Sequence, residues 1–267
     1  MKSLVSPQMA VRSLIKARPM AVGLMDKRNI RFWDALDRPV AEVVRRDVLE
    51  DFLEEVSYVR VPANDTDWLA MPMYWLTDYL TESHRDFQLQ DISDIAHLLD
   101  IHTIADSEES EGLRSIHKAF QEFTKELQSH VDEEEAFLFP KILRYEACLR
   151  DSRVHPEFHR GSIQSYMAIR LNQEEKRLFG AFDALAEKIR LHAKAHADSF
   201  TAGELINLLG RLRERLNDHG ELESKILFPT AREMEKNLYN MSINGDPAVV
   251  YHRRGPMDSG ILRLEDA

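Results

Sequence analysis

Thiols are almost missing from this chain. Cys148 is the single cysteine in 267 residues, which excludes an internal disulfide and a C-x2-C redox or zinc motif. Long apolar runs are missing as well. No N-terminal stretch of about 7–15 apolar residues reads as a signal peptide, and no run of about 18 would span a bilayer. A cytoplasmic protein without a membrane partner is expected. Positive charge is in deficit, with 35 Lys and Arg against 46 Asp and Glu and a net charge of -11. That balance argues against nucleic acid, whose phosphates need a basic face. There is no glycine-rich phosphate loop, and no Ser-His-Asp set can be assigned for nucleophilic catalysis. What remains is 43% hydrophobic and 30% charged, the balance of a soluble, helix-rich protein. It is long enough for one large or two small domains with a real core.

One pattern occurs twice. HVDEEEAFLFP begins at His130 and HGELESKILFP at His219, both fitting H-x3-E-x3-L-F-P, 89 residues apart (130 to 219). Residues i and i+4 of a helix lie on one face, one turn apart. Each copy therefore aims an imidazole and a carboxylate the same way. Upstream, Ile116, Phe120, Phe123, Leu127, His130, Glu134 and Phe137 step 4,3,4,3,4,3, and Leu205, Leu209, Leu212, Leu216, His219, Glu223 and Ile226 repeat those steps. Such alternation marks the inward face of a bundle helix. Ionisable groups on a core seam are costly unless paired or bound to a metal. A single copy reads equally well as a self-satisfied His–Glu hydrogen bond. Two copies in register favour a metal, on the logic of di-iron carboxylate bundles.

The rest of the chain supports an all-α protein, an up-down four-helix bundle preceded by a small helical N-terminal domain. The expected divisions are residues 1–60 (N-terminal helices), 61–71 (linker), 72–240 (bundle) and 241–267 (tail). Ser6-Pro7 opens the first short helix and Pro19 ends it. Pro39 opens a longer one, predicted to run unbroken through Val56. The first bundle helix carries Leu76, Leu80, His84 and Phe87 on one seam and runs toward His102. His84 is a third candidate ligand. His102 lies about 27 Å further along a straight helix, too far to share its metal. The fourth helix is predicted to start at Thr201, a cap with Glu204 three residues on. Asp132, Glu133 and Glu135 read as a solvated acidic face, and Pro140 as a last turn or a kink.

These residues carry a resemblance. The bundle resembles a hemerythrin-like cation-binding domain, and the chain over about 1–238 is similar to the iron-centre repair di-iron proteins. The resemblance implies non-haem iron, with manganese or a mixed pair as variants. It implies histidine ligands at His84, His130 and His219 and bridging carboxylates at Glu134 and Glu223. His102 sits near a histidine common in that family, at the edge of the site. The implied activity is O2, NO or peroxide binding, oxidative or nitrosative stress response, or iron-centre repair. Two departures stand. The third-helix ligand position is Leu171, which cannot bind a metal, and Glu174, three residues on, is the candidate replacement. The family's N-terminal cysteine signature is FWDAL here, Phe32 to Leu36, so its thiol chemistry does not carry over. The competing reading is a metal-poor regulatory or scaffold member that binds a protein partner, or a second copy of itself, through the N-terminal domain or the tail.

Overall fold

A computed structural model describes residues 5–57, 67–102, 108–152, 162–163, 172–197 and 199–244. These residues are helical throughout, apart from turns and one isolated bridge between Ala10 and Pro39. None of the described helices is long and apolar enough to cross a membrane. Most of the expected linker, the position of Leu171 and all of the tail beyond Asn244 lie outside the described residues.

The N-terminal unit comprises α1 (Val11–Ala17), α2 (Met20–Lys27), α3 (Val40–Val43) and α4 (Leu49–Ser57). The single helix predicted from Pro39 is therefore broken. Val44 turns extended, with ψ 132. Arg45 pairs with Asp47 across the gap at 2.6 Å. Val40, Val44 and Phe52 all enter one core despite the break.

The bundle begins with α5 (Met73–Asp86), which passes through a π-helical segment, Phe87–Ile92, into α6 (Ser93–His102). The second helix is α7 (Glu108–Glu133), a π segment at Glu134–Leu138, and α8 (Phe139–Arg150). The third is α9 (Asn172–Ala195). The fourth is α10 (Phe200–Leu222), a π segment at Glu223–Leu227, and α11 (Phe228–Asn244). Its cap is Ser199, whose side chain accepts from the Ala202 N–H. Thr201 lies inside the helix and is buried, so the predicted cap is two residues late.

Both prolines of the repeated motif sit just past a π segment and do not end their helices. Proline has no N–H to donate, and its ring crowds the carbonyl four residues back. A π turn bonds i to i+5 and relieves that crowding. The Phe139 N–H donates to the Glu134 carbonyl and the Phe228 N–H to the Glu223 carbonyl. The extra residue shifts the inward face by one position. Leu138 and Leu227 are fully buried, whereas Phe137, placed on the seam by the 3/4 count, is 43% exposed.

Two apolar clusters result. One unites the N-terminal helices with the start of α5 and with α8 and α11, through Leu14, Met25, Phe52, Leu80, Phe139 and Leu238. The other fills the opposite half of the bundle, around Phe87, Phe123, Leu127, Phe182 and Leu212. The polar seam residues lie between them.

Candidate metal centre

Three helices deliver five polar side chains to the plane between the two cores. His84 comes from the last turn of α5, His130 and Glu134 from the α7–π junction, and His219 and Glu223 from the α10–π junction. All five are buried. His84 Nε2 lies 3.2 Å from His219 Nε2 and 3.3 Å from Glu134 Oε2. His219 Nε2 is 3.9 Å from that same oxygen and 3.2 Å from Glu223 Oε1. On the other side, His130 Nε2 lies 3.4 Å from Glu134 Oε1. Glu134 thus turns one oxygen toward His84 and His219 and the other toward His130. Two groups of three follow, His84–Glu134–His219 and His130–Glu134–Glu223, with Glu134 common to both.

Hydrogen bonding does not account for this convergence. Both oxygens of Glu134, Oε1 of Glu223 and Nδ1 of His130 are buried without a hydrogen-bond partner. A buried polar atom left in that state costs about 1–3 kcal/mol, more if it is charged. Three such carboxylate oxygens in one place call for an ion. The spacings fit one: ligand atoms about 2.1 Å from a metal and at right angles lie about 3.0 Å apart. Imidazole with carboxylate suits iron, manganese or zinc.

The far sides of two imidazoles are held. Ser83 Oγ donates to the Leu80 carbonyl at 2.7 Å, so it must accept from His219 Nδ1, at 2.6 Å. His84 Nδ1 donates to Glu135 Oε1 at 3.0 Å. Both rings carry their proton on Nδ1 and present Nε2 inward. Two neutral Nε2 lone pairs facing each other at 3.2 Å repel unless a cation lies between them. Without metal, that cation is a proton. Burial works against a charged His219, yet Glu223 and Glu134 raise its pKa to about 10. Burial also pushes the Glu134 carboxyl upward, but His130, His219 and His84 outweigh it and hold the group well below its usual range. Glu223 is raised by burial and by the neighbouring charge of Glu134.

Beside the ligands is a cavity of about 30 Å³, bordered by Phe87, Leu127, Val131, Leu178, Phe179 and Leu216. One water needs about 10–15 Å³ on this measure, so the space takes roughly two water-sized atoms. Its walls are apolar except at the histidines and Glu223.

The structure brings together His84, His130, Glu134, His219 and Glu223. His102 ends α6, and Glu174 lies in the first turn of α9, but the side chains of both fall outside the described residues. Sequence reasoning missed Ser83 and mistook Glu135. Glu135 is only 15% exposed and faces His84, rather than standing on a solvated acidic face. Each flanks a ligand by one residue, and only Glu135 lies in a π segment.

Residues 76–231, more than half of the chain, match the family model of the hemerythrin HHE cation-binding domain. A comparison with curated proteins gave no match.

Proposed function

The chain belongs to the hemerythrin HHE cation-binding domain family, and from that premise we propose that it is a non-haem iron protein whose ligands are His84, His130, Glu134, His219 and Glu223. Glu134 would serve both metal positions, Glu223 would stand beside both, and His84 and His219 would hold one of them. The observation that carries this reading is the pair of inward Nε2 atoms at 3.2 Å, backed by the partnerless oxygens of Glu134. A metal-free scaffold gains nothing from such a set, because apolar residues of similar size fill a core at lower cost.

Bound iron supplies redox and Lewis-acid chemistry. The protein's own part is selection. The small apolar cavity is of a size to suit a diatomic molecule or peroxide. The role that fits is capture or reduction of O2, NO or peroxide under oxidative or nitrosative stress. Repair of damaged iron centres is the variant suggested by the helical N-terminal unit that precedes the bundle.

The test is metal content per chain on protein purified without chelators, together with its absorption spectrum. At least one iron per chain is expected, rising to two on anaerobic ferrous loading, with ferric absorption in the near ultraviolet after exposure to air. No metal even after loading would sink the reading.

A further inference from the structure

Resting on the metal-binding reading above, we infer that the two metal positions are unequal: the His84–His219–Glu134 position is built to hold one ion tightly, and the His130–Glu134–Glu223 position takes a second, exchangeable ion. Three observations converge on this.

The first is donor type. Among the described residues, the tight position has two imidazoles and a carboxylate, with Glu223 Oε1 also 3.2 Å from His219. The other has one imidazole and two carboxylates, both shared with or leaning toward its neighbour. Two nitrogen donors hold first-row divalent ions more strongly than one, while the carboxylate-rich side accepts the more weakly bound manganous or ferrous ion.

The second is geometry. The three contacts at the tight position are 3.2, 3.3 and 3.9 Å. None reaches the roughly 4.2 Å that separates ligands on opposite sides of an ion at about 2.1 Å. An ion about 2.1 Å from each would lie close to the plane of the three atoms, which therefore surround it. Two imidazoles and one carboxylate converging on one point make a mononuclear site in their own right.

The third is support. Both imidazoles of the tight position have Nδ1 anchored, His219 on Ser83 and His84 on Glu135. Nδ1 of His130 is buried with no hydrogen-bond partner. No hydrogen bond on Nδ1 fixes this ring from behind, as one does for His84 and His219, so ordering it weakens the second step. Ser83 and Glu135 act as positioning residues: they touch no ion and fix the rings that do.

The experiment is an anaerobic titration of the metal-free full chain with ferrous iron against a competing chromophoric chelator, with circular dichroism and melting curves on each variant. Two separate binding steps are expected for the unaltered chain. Ser83→Ala and Glu135→Gln should weaken the tight step by about 10–100-fold, and Ser83→Thr, which keeps the hydroxyl, should restore it. His130→Ala should lose the weaker step, with one equivalent still tightly bound. His84→Ala should lose the tight step. Two equal steps would overturn the inference, as would loss of the tight step in His130→Ala. A tight step within twofold of the unaltered value in both Ser83→Ala and Glu135→Gln, with the folds intact, would overturn the positioning roles. Failure of the unaltered chain to bind ferrous iron at all would overturn the metal reading itself, a result distinguishable from the others.

Discussion

At the scale of single residues, the cluster is an equilibrium between protons and metal. His219 titrates near 6.5 when unfolded and at about 10 in the folded, metal-free chain. A raised histidine contributes stability that is full below the unfolded value and is lost as pH climbs through the folded one. The raised carboxyl of Glu223 acts in the same direction, since it too binds its proton more readily when folded. Glu134 acts in the opposite sense, because its depressed pKa stabilises above the usual carboxylate range and the benefit is lost only in acid. The metal-free protein should therefore lose stability steadily above about pH 6.5. A bound cation replaces the proton on His219 and escapes that loss. The melting temperature gained on adding manganous ion should thus widen between about pH 6 and pH 8.5. Melting curves of both forms across that range check it. A gap that stays flat or narrows would mean that the ion does not displace the His219 proton.

At the scale of elements, the π segments set the register of the site. Glu134 and Glu223 each begin one, and a third begins at Phe87, three residues after His84. If proline helps to hold the segment open, Pro140→Ala restores an N–H and favours a plain α-helix. The inward face would then revert toward the 3/4 count, drawing Phe137 in and Leu138 out and rotating Glu134 away from His84. Iron affinity should fall by at least tenfold while the metal-free melting temperature stays level or rises. Unchanged affinity would show that packing of Leu138, not the proline, fixes the segment. The same register explains what the sequence could and could not reveal. The two H-x3-E pairs were legible because they lie on α-helical turns, where a constant 3.6-residue period holds. Past Glu134 and Glu223 that period fails, so Phe137 and Ile226 were placed one position off the fully buried Leu138 and Leu227. Ser83 and Glu135 were illegible for a related reason: a helical count puts the neighbour of an inward residue outside. The broken helix at Val44 was hidden because its apolar residues suit either a helix or an extended segment.

At the scale of the whole molecule, the site depends on how the N-terminal helices seat against α5. Their connection is electrostatic as well as apolar. Arg18 is 2% exposed; it donates to the Val56 carbonyl at 3.0 Å, lies 3.2 Å from Asp78 Oδ2 and pairs with Glu82. The Met20 N–H donates to Asp78 at 3.1 Å, and Arg85 bridges Glu82 to the Ala17 carbonyl. Asp78 and Glu82 belong to the helix that ends in Ser83 and His84, so this network holds that helix one turn from the metal ligands. Removing one member of a buried ion pair strands its partner, which costs about 3–5 kcal/mol. Even with Arg18 in place, burial raises the Asp78 carboxyl. Arg18→Ala should therefore lower stability by about 3–5 kcal/mol in urea unfolding, and a second change, Asp78→Asn, should recover part of the loss by removing the stranded charge. If α5 is positioned by this network, Arg18→Ala should also weaken ferrous binding at His84 under conditions where the bundle remains folded. A stability loss with unchanged binding would confine the N-terminal helices to covering the core. A loss of both, with recovery of both in the double variant, would make them part of the framework that sets the metal centre.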